Sequence, residues 1–167
     1  GIFSKKGTPI KDIIRGGQVI VMDLSAYVAM PGGWEVKALT LGIIAKKIFI
    51  ERMLTRKREE LFDIVNKTQV VKKEEVKDDM AMPWLIIDEA HEFLPESGET
   101  PASKALMTIL REGRQPGVSL IMATQQPGKI HTDAITQSDI VLSHRITASF
   151  DLEALDKIFL SCESKGS

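Results

Sequence analysis

Two adjacent carboxylates follow a run of apolar residues near the middle of the chain. The run "WLII" (84–87) is followed directly by Asp88 and Glu89. An apolar strand that ends in Asp-Glu has the form of a Walker B motif, whose aspartate belongs to the Mg²⁺ shell because hard cations prefer oxygen ligands. The glutamate of such a motif orients or activates water for attack on a γ-phosphate. The alternative is a strand that simply ends in acidic residues at the surface.

Polar residues also follow the next apolar run along the chain. The segment "VSLIMATQ" (118–125) ends in Thr124 and Gln125. A neutral amide at a strand end can hydrogen-bond both a γ-phosphate and its attacking water. An ordinary polar exit from a strand is the alternative. Function gathers at the carboxyl ends of strands in parallel sheets, so the two strand ends together are a stronger indication than either alone.

An arginine-rich segment lies between these two strand ends. In "LREGRQPG" (110–117), a helix that ends at Gly113 leaves Arg114 in the loop. An arginine there could reach the nucleotide of a neighbouring subunit, because its planar fork suits phosphate. Arg111 instead fits the last turn of the helix, where cations complement the macrodipole.

The surrounding pattern alternates apolar strands with helices. Strands are predicted at 18–25, 83–88, 118–125 and 139–147. Helices are predicted at about 35–66, from Pro101 with Thr100 as cap, as one turn at 131–138 capped by Thr132, and at 149–159. This alternation predicts an α/β fold, a parallel sheet with helices on both faces. Asp23 and Arg145 are then the polar residues at the other two strand ends.

Composition limits the classes of protein that remain. The 167 residues are enough for one domain, and 43% hydrophobic with 27% charged residues is typical of globular proteins. The net charge of −1 excludes an overall basic surface, so contact with nucleic acid would need a local patch or a pore. Cys162 alone builds no disulfide framework, and no apolar run reaches the roughly 18–20 residues that span a bilayer. We therefore expect a cytoplasmic protein without a membrane partner.

Two further charged groups have ordinary interpretations. The three histidines of the chain lack the spacing of metal ligands, so His91 and His144 carry little functional weight. The basic segment "RMLTRKR" (52–58) could bind phosphate, but a solvated helix face is the interpretation that we favour.

Taken together, the motifs resemble the HerA family of hexameric, RecA-like ATPases in the HerA/FtsK group of DNA translocases. The resemblance lies in "WLIIDEAHEFLP", "LREGRQPGVSLIMATQQPGKI", "TQSDIVLSHRIT" and "DLEAL", which cover roughly 84–157 in order. The segment "GGQVIVMDLS" (16–25) also resembles the strand that precedes the family's long helix. A DEAH-box helicase is the competing interpretation of "DEAH" (88–91), but those proteins continue to a Ser-Ala-Thr element. Here the comparable stretch reads "MATQQP", with "REGR" before it, which favours the HerA resemblance.

The resemblance implies a role for each matching residue. Asp88 matches the Walker B aspartate, which holds Mg²⁺ through water, and Glu89 matches the catalytic glutamate. Gln125 matches the polar sensor glutamine after the strand, and Thr124, which lies beside it at the strand end, is a further candidate for binding the cofactor. The remaining candidates are the trans-acting Arg114, its reserve Arg111, and Arg145, which would couple nucleotide state to motion. The implied cofactors are ATP and Mg²⁺, and the implied partners are double-stranded DNA, further copies in a hexamer, and a NurA-type nuclease.

The chain contains no P-loop. The pattern G-x-x-x-x-G-K-[ST] has no match, and "PGKI" (127–130) lacks its Ser/Thr. We therefore expect residues 1–167 to form the C-terminal portion of a RecA-like ATPase domain that does not hydrolyse ATP by itself. The P-loop strand would then be missing between strands 118–125 and 139–147. The last strand would close that gap, swap with another chain or pack poorly. The alternative is a degenerate, non-hydrolysing domain that acts as a scaffold or binds a partner.

Overall fold

The structure is a computed structural model that describes residues 9–67 and 80–145, together with positions 7, 149, 151–153 and 156. The helices are α1 (Ile10–Ile13), α2 (Ser25–Val28), α3 (Gly33–Lys67), α4 (Ser103–Glu112) and α5 (Thr132–Thr136). The strands are β1 (Trp84–Ile87) and β2 (Ser119–Met122), and short 3-10 turns span Ala90–Glu92 and Pro127–Lys129. The predicted α/β class is therefore confirmed. Among the described residues, no helix combines the length and the apolar character that crossing a membrane requires.

The two strands form a parallel pair. Trp84 lies beside Ser119 and Ile87 lies beside Met122. The ladder continues past the strands, because Ala123 donates its N–H to the Ile87 carbonyl and accepts from the Ala90 N–H, both at 2.9 Å. This register brings the residues after β1 alongside the residues after β2.

Only one face of this sheet is covered in the described part of the chain. Successive side chains of a strand point to opposite faces. Ile87 is buried with residues of α3 and α4, and Leu85, Leu120 and Met122 pack against that core. On the other face Trp84, Ile86 and Ile121 are 68%, 67% and 41% exposed. The prediction of helices on both faces is thus wrong for the described residues.

Two of the four predicted strands are absent from the described residues. Residues 18–24 and 139–145 have no regular secondary structure, Ser25–Val28 form α2, and 146–147 lie outside the described residues. An apolar run predicts burial, but a strand also needs a partner for its backbone groups. Neither segment pairs with β1 or β2, and Val19 and Leu142 remain 93% and 92% exposed. The last segment therefore does not close the predicted gap beside β2.

The long helix α3 confirms the prediction for about 35–66 but buries a partly different stripe. The spacing of the apolar residues predicts a buried stripe at Val36, Leu39, Ile43, Ile44 and Ile48. Of these, Ile48 is buried together with Ala38, Leu41 and Ala45, whereas Leu39 and Ile43 are 41% and 46% exposed. A Cβ atom on Gly42 would lie 2.6 Å from the Pro101 carbonyl oxygen. Small residues therefore line the contact, because the backbone before α4 approaches α3 too closely for larger ones.

The ends of the shorter helices follow local hydrogen bonds. Thr100 Oγ1 accepts from the N–H groups of Ala102 and Ser103, both at 3.2 Å, as expected for the predicted cap, and the regular helix α4 begins at Ser103, two residues after the predicted start at Pro101. Gly113 ends α4 as predicted. The cap of α5 is His131, whose Nδ1 accepts from the Asp133 N–H at 3.1 Å, and the prediction of Thr132 as cap is wrong. The described positions between 149 and 156 are helical, as expected.

Arg52 shows that the basic segment 52–58 is not simply a solvated face. Its side chain is 2% exposed. The guanidinium donates to the carbonyls of Pro116 at 2.8 Å and Met80 at 2.5 Å, and it lies 3.3 Å from a Glu59 oxygen. Arg52 therefore ties α3 both to the turn after α4 and to the chain entering β1.

Replacing Arg52 with leucine is expected to lower the free energy of unfolding by roughly 3–5 kcal/mol, because two carbonyls and a carboxylate lose their buried donor. Urea unfolding measures this difference. Arg56 is a matched control on the same helix, since it is 45% exposed and pairs with Glu59 and Glu60. Arg56→Leu is expected to cost less than about 1 kcal/mol. Equal losses for both variants would contradict a structural role specific to Arg52.

Candidate functional site

The two carboxylates after β1 lie on a sharply turned backbone. Glu89 has φ 49° and ψ 47°, the one left-handed conformation at a non-glycine position among the described residues. Such a conformation costs a residue with a side chain on the order of 1–3 kcal/mol and clusters at functional positions. Asp88 supports the turn, because its Oδ1 accepts the Glu89 N–H at 2.9 Å. The chain then enters the 3-10 turn Ala90–Glu92 instead of extending the strand.

The Glu89 carboxylate faces the end of the neighbouring strand. Gln125 Nε2 donates to Glu89 Oε1 at 2.8 Å, which joins the residues after β1 and β2 directly. Glu89 Oε2 is buried and has no hydrogen-bond partner among the described residues. A buried oxygen of this kind costs free energy unless a donor reaches it. The carboxylate therefore has one satisfied oxygen and one buried oxygen for which the described residues supply no donor.

His91 lies at the centre of the same cluster, contrary to the small functional weight expected from the spacing of the histidines. Its Nδ1 is 2.9 Å from Thr124 Oγ1, and its Nε2 is 3.4 Å from Gln126 Nε2. Nδ1 is also 3.4 Å from Glu89 Oε2, without the geometry of a hydrogen bond. Thr124 Oγ1 additionally accepts the Gln126 N–H at 3.0 Å. Only the strand register, which the sequence does not state, brings position 91 beside position 124.

Asp88 fits a magnesium shell of the water-mediated kind. Its side chain is exposed, and its Oδ2 makes no hydrogen bond within the described part of the chain. The described residues contain no group of three or more His, Cys, Asp or Glu side chains able to hold a metal. Mg²⁺ keeps several waters and takes one or two carboxylates together with substrate phosphates. A single exposed carboxylate beside Glu89 suits that cation.

The two candidate arginines differ in what they contact. Arg111 Nη2 lies 2.5 Å from Asp133 Oδ2, so this side chain joins α4 to α5. Arg114 is exposed in the turn after Gly113 and makes no hydrogen bond or ion pair with the described residues. The turn itself is held by Arg52 through the Pro116 carbonyl and by the Val118 N–H, which donates to the Gly113 carbonyl at 2.8 Å. Arg114 is thus a free cation on a fixed turn.

The other two strand-end candidates lie outside this cluster. Arg145 is exposed at the end of the irregular segment 139–145, and no described contact joins it to Glu89 or Gln125. Asp23 precedes α2, where its Oδ1 accepts the Ser25 N–H at 2.8 Å. Hydrogen bonds from the side chain and the backbone of Ser25 hold the pKa of Asp23 below its usual value. The structure therefore brings together Asp88, Glu89, Thr124 and Gln125, but neither Asp23 nor Arg145.

The long helix α3 contacts the segment that follows Glu89 and His91 through the side chain of Lys37. Lys37 Nζ lies 2.5 Å from Glu92 Oε2 in a partly buried ion pair. The same ammonium group lies 5.2 Å from the centre of the Phe93 ring, close enough for a cation–π contact. Glu92 is the last residue of the 3-10 turn and Phe93 follows it directly. Through these two contacts, α3 fixes the segment that carries Glu89 and His91.

The fold and the site define an α/β protein with an acid–amide cluster at the carboxyl edge of a parallel strand pair, and comparison with known proteins extends this description. No family model matches the chain. It is 34% identical over 62% of its length to the DNA double-strand break repair helicase HerA of Pyrococcus furiosus, and 26% identical over 84% to a probable HerA of Methanocaldococcus jannaschii. A protein described as a probable helicase, from the latter organism, is 36% identical over 41% of the chain. The chain is therefore related to the HerA family, and it spans 18% and 29% of the lengths of the two HerA proteins.

Proposed function

We propose that this chain is the catalytic portion of an ATP-hydrolysing motor that acts on double-stranded DNA, with active sites between the subunits of a ring. One observation carries the proposal. The acidic pair after β1 and the amide after β2 converge, with Gln125 Nε2 at 2.8 Å from Glu89 Oε1. The relationship to proteins named as DNA double-strand break repair helicases supports DNA as the partner. A RecA-like core is the fold that this arrangement fits best.

Glu89 would act through its unpaired oxygen. Oε1 is occupied by Gln125, whereas Oε2 is buried and lacks a donor in the described structure. A water molecule that donates to Oε2 would satisfy this oxygen and would be oriented for attack on a γ-phosphate. The two oxygens thus have different tasks: one fixes the side chain and the other holds the proton of the attacking water.

Gln125, Thr124 and Asp88 would surround the nucleotide phosphates. The second N–H of the Gln125 amide remains available for a phosphate oxygen. Thr124 holds the turn after β2 through the Gln126 N–H at 3.0 Å, which places its hydroxyl at the same edge. Asp88 would hold Mg²⁺ through water, and the cation would neutralise phosphate charge when bound. With this assignment, the candidate residues that follow β1 and β2 all lie at the carboxyl edge of the strand pair, where the phosphates would bind.

The arginines would belong to a second subunit's site. Arg114 is exposed and unpaired among the described residues, so it can reach a nucleotide held by a neighbouring copy. Arg111 already pairs with Asp133, which favours Arg114 for this role. Arg145 would sense nucleotide state only in an assembly that brings it to a site. DNA would contact few residues of each subunit within the ring, and this is compatible with a net charge of −1.

Measuring ATP turnover by the full-length protein that contains this chain tests the proposal. We expect Mg²⁺-dependent hydrolysis that linear double-stranded DNA stimulates several-fold, with a strong dependence on salt because phosphate contacts release counterions. Single-stranded DNA of the same length serves as the matched control for the nature of the partner. A full-length protein without measurable turnover under either condition would contradict the proposed motor.

A further inference from the structure

We infer that His91 is a positioning residue for hydrolysis: it holds the end of β2 against Glu89 and fixes the Glu89 carboxylate without bonding to its Oε2. The inference rests on the proposed function, since it concerns the same carboxylate. The observation behind it is the juxtaposition of one imidazole with three polar groups from both strand ends. The spacing of the histidines in the sequence indicates little functional weight for His91.

The backbone fixes the place of the imidazole. The Ala90 N–H donates to the Ala123 carbonyl at 2.9 Å, so the turn that carries His91 is attached to the residue after β2. Ala90 is 1% exposed and the His91 side chain is 14% exposed. The ring is therefore held within the cluster and is not a surface side chain.

Both nitrogens of the imidazole ring have a polar partner. Nδ1 lies 2.9 Å from Thr124 Oγ1 and Nε2 lies 3.4 Å from the Gln126 amide nitrogen, and the tautomer of the ring decides which atom of each pair donates. The Thr124 oxygen also accepts the Gln126 N–H, which closes a ring of contacts around the end of β2.

Glu89 is the group that this arrangement controls. Nδ1 lies 3.4 Å from Glu89 Oε2 without making a hydrogen bond to it, so the histidine borders this oxygen without satisfying it. Gln125 holds the other oxygen from the same strand end that His91 fixes. Removing the imidazole would loosen the Thr124–Gln126 turn and leave space in which the Glu89 side chain can rotate. A displacement of about 1 Å at a reacting group can cost on the order of 10²-fold in rate.

The test uses His91→Leu and His91→Asn in the full-length protein, because asparagine can place an N–H donor near the position of Nδ1. We expect His91→Leu to lower kcat by about 10–100-fold while the KM for ATP stays within about threefold, since His91 positions Glu89 and does not bind nucleotide. His91→Asn should recover most of the lost kcat. Thr124→Val should lower kcat by itself, and the loss in the double variant with His91→Leu should be smaller than the product of the two single losses, because the two side chains act as one unit.

Controls separate this inference from the proposed function. His144→Leu changes an exposed histidine and should leave kcat unchanged. If Glu89→Gln retains turnover, the proposed function itself fails.

If Glu89→Gln is inactive and His91→Leu keeps full kcat, only the positioning role is overturned. The positioning role is also overturned if the kcat of His91→Asn is as low as that of His91→Leu while a thermal unfolding measurement shows that the asparagine variant is folded. Should the leucine variant not fold, the kcat of His91→Asn, expected within about threefold of the parent, decides the same question.

Discussion

Full-length protein carrying Glu89→Gln is expected to bind ATP and to lose at least about 10²–10⁴-fold in turnover, the range that a general base contributes. Glutamine preserves the length of the side chain, and its carbonyl oxygen can still accept from Gln125 as Glu89 Oε1 does at 2.8 Å. What it lacks is a second acceptor oxygen at the buried position of Oε2. ATP binding and single-turnover hydrolysis, measured separately, report the two expectations.

Glu92→Gln is the matched control for that experiment. Glu92 lies three positions further along the same turn, but its carboxylate is committed to the ion pair with Lys37. The same change of charge there should affect turnover by less than about threefold, because glutamine can still accept from Lys37 and the contact of Lys37 with the Phe93 ring remains. Retained hydrolysis in Glu89→Gln, or an equal loss in Glu92→Gln, would remove Glu89 from the proposed role.

Loss of the Arg114 side chain is expected to have the second large effect, and to act on the neighbouring subunit. Arginines supplied in this way contribute about 10³–10⁵-fold to phosphoryl transfer. Arg114→Ala alone should therefore be nearly inactive. Mixing it with Glu89→Gln subunits should restore turnover, because about a quarter of the interfaces in a randomly mixed ring then combine an intact glutamate with an intact arginine. Two inactive variants that recover activity together would establish a site shared between subunits.

Arg111→Ala distinguishes the two arginines. Its guanidinium pairs with Asp133 on the surface, at exposures of 56% and 41%. Its removal should cost less than about 1 kcal/mol of stability and leave turnover within about threefold. An inactive Arg111→Ala beside an active Arg114→Ala would reverse the assignment. Absence of any recovery on mixing, with rings shown to exchange subunits, would contradict a shared site.

The sequence predicted the elements whose evidence is local. The length of α3, the end of α4 at Gly113 and the strands β1 and β2 follow from periodicity, a helix stop signal and short apolar runs. Segments 18–25 and 139–147 have the same apolar character, yet residues 18–24 and 139–145 form no strand. Hydrophobicity predicts that a segment favours burial, but it does not supply the neighbouring strand that pairing requires. The stripe on α3 was partly wrong because close approach at Gly42 selects small residues.

The sequence predicts the part of the candidate site that lies at the two polar strand ends. It does not predict the contacts that depend on strand register or on the burial of a side chain. Asp88, Glu89, Thr124 and Gln125 converge as parallel strands imply. The contact of His91 with Thr124 could not be predicted, because it depends on the strand register that places Ile87 beside Met122. Arg52 was missed because a buried arginine and a solvated one look the same within "RMLTRKR". Its role depends on the Pro116 and Met80 carbonyls, which are distant in sequence.

The left-handed backbone conformation at Glu89 determines which amino acid would give the most stable fold at this position. Glycine adopts φ values near 49° freely, so a glycine at position 89 would release strain and raise the free energy of unfolding by about 1 kcal/mol. It would also remove the one carboxylate that contacts both strand ends. Stability and the proposed chemistry therefore favour different residues at the same position, as expected where function limits how stable a fold becomes. A search for stabilising substitutions would therefore select against the proposed catalytic carboxylate at residue 89.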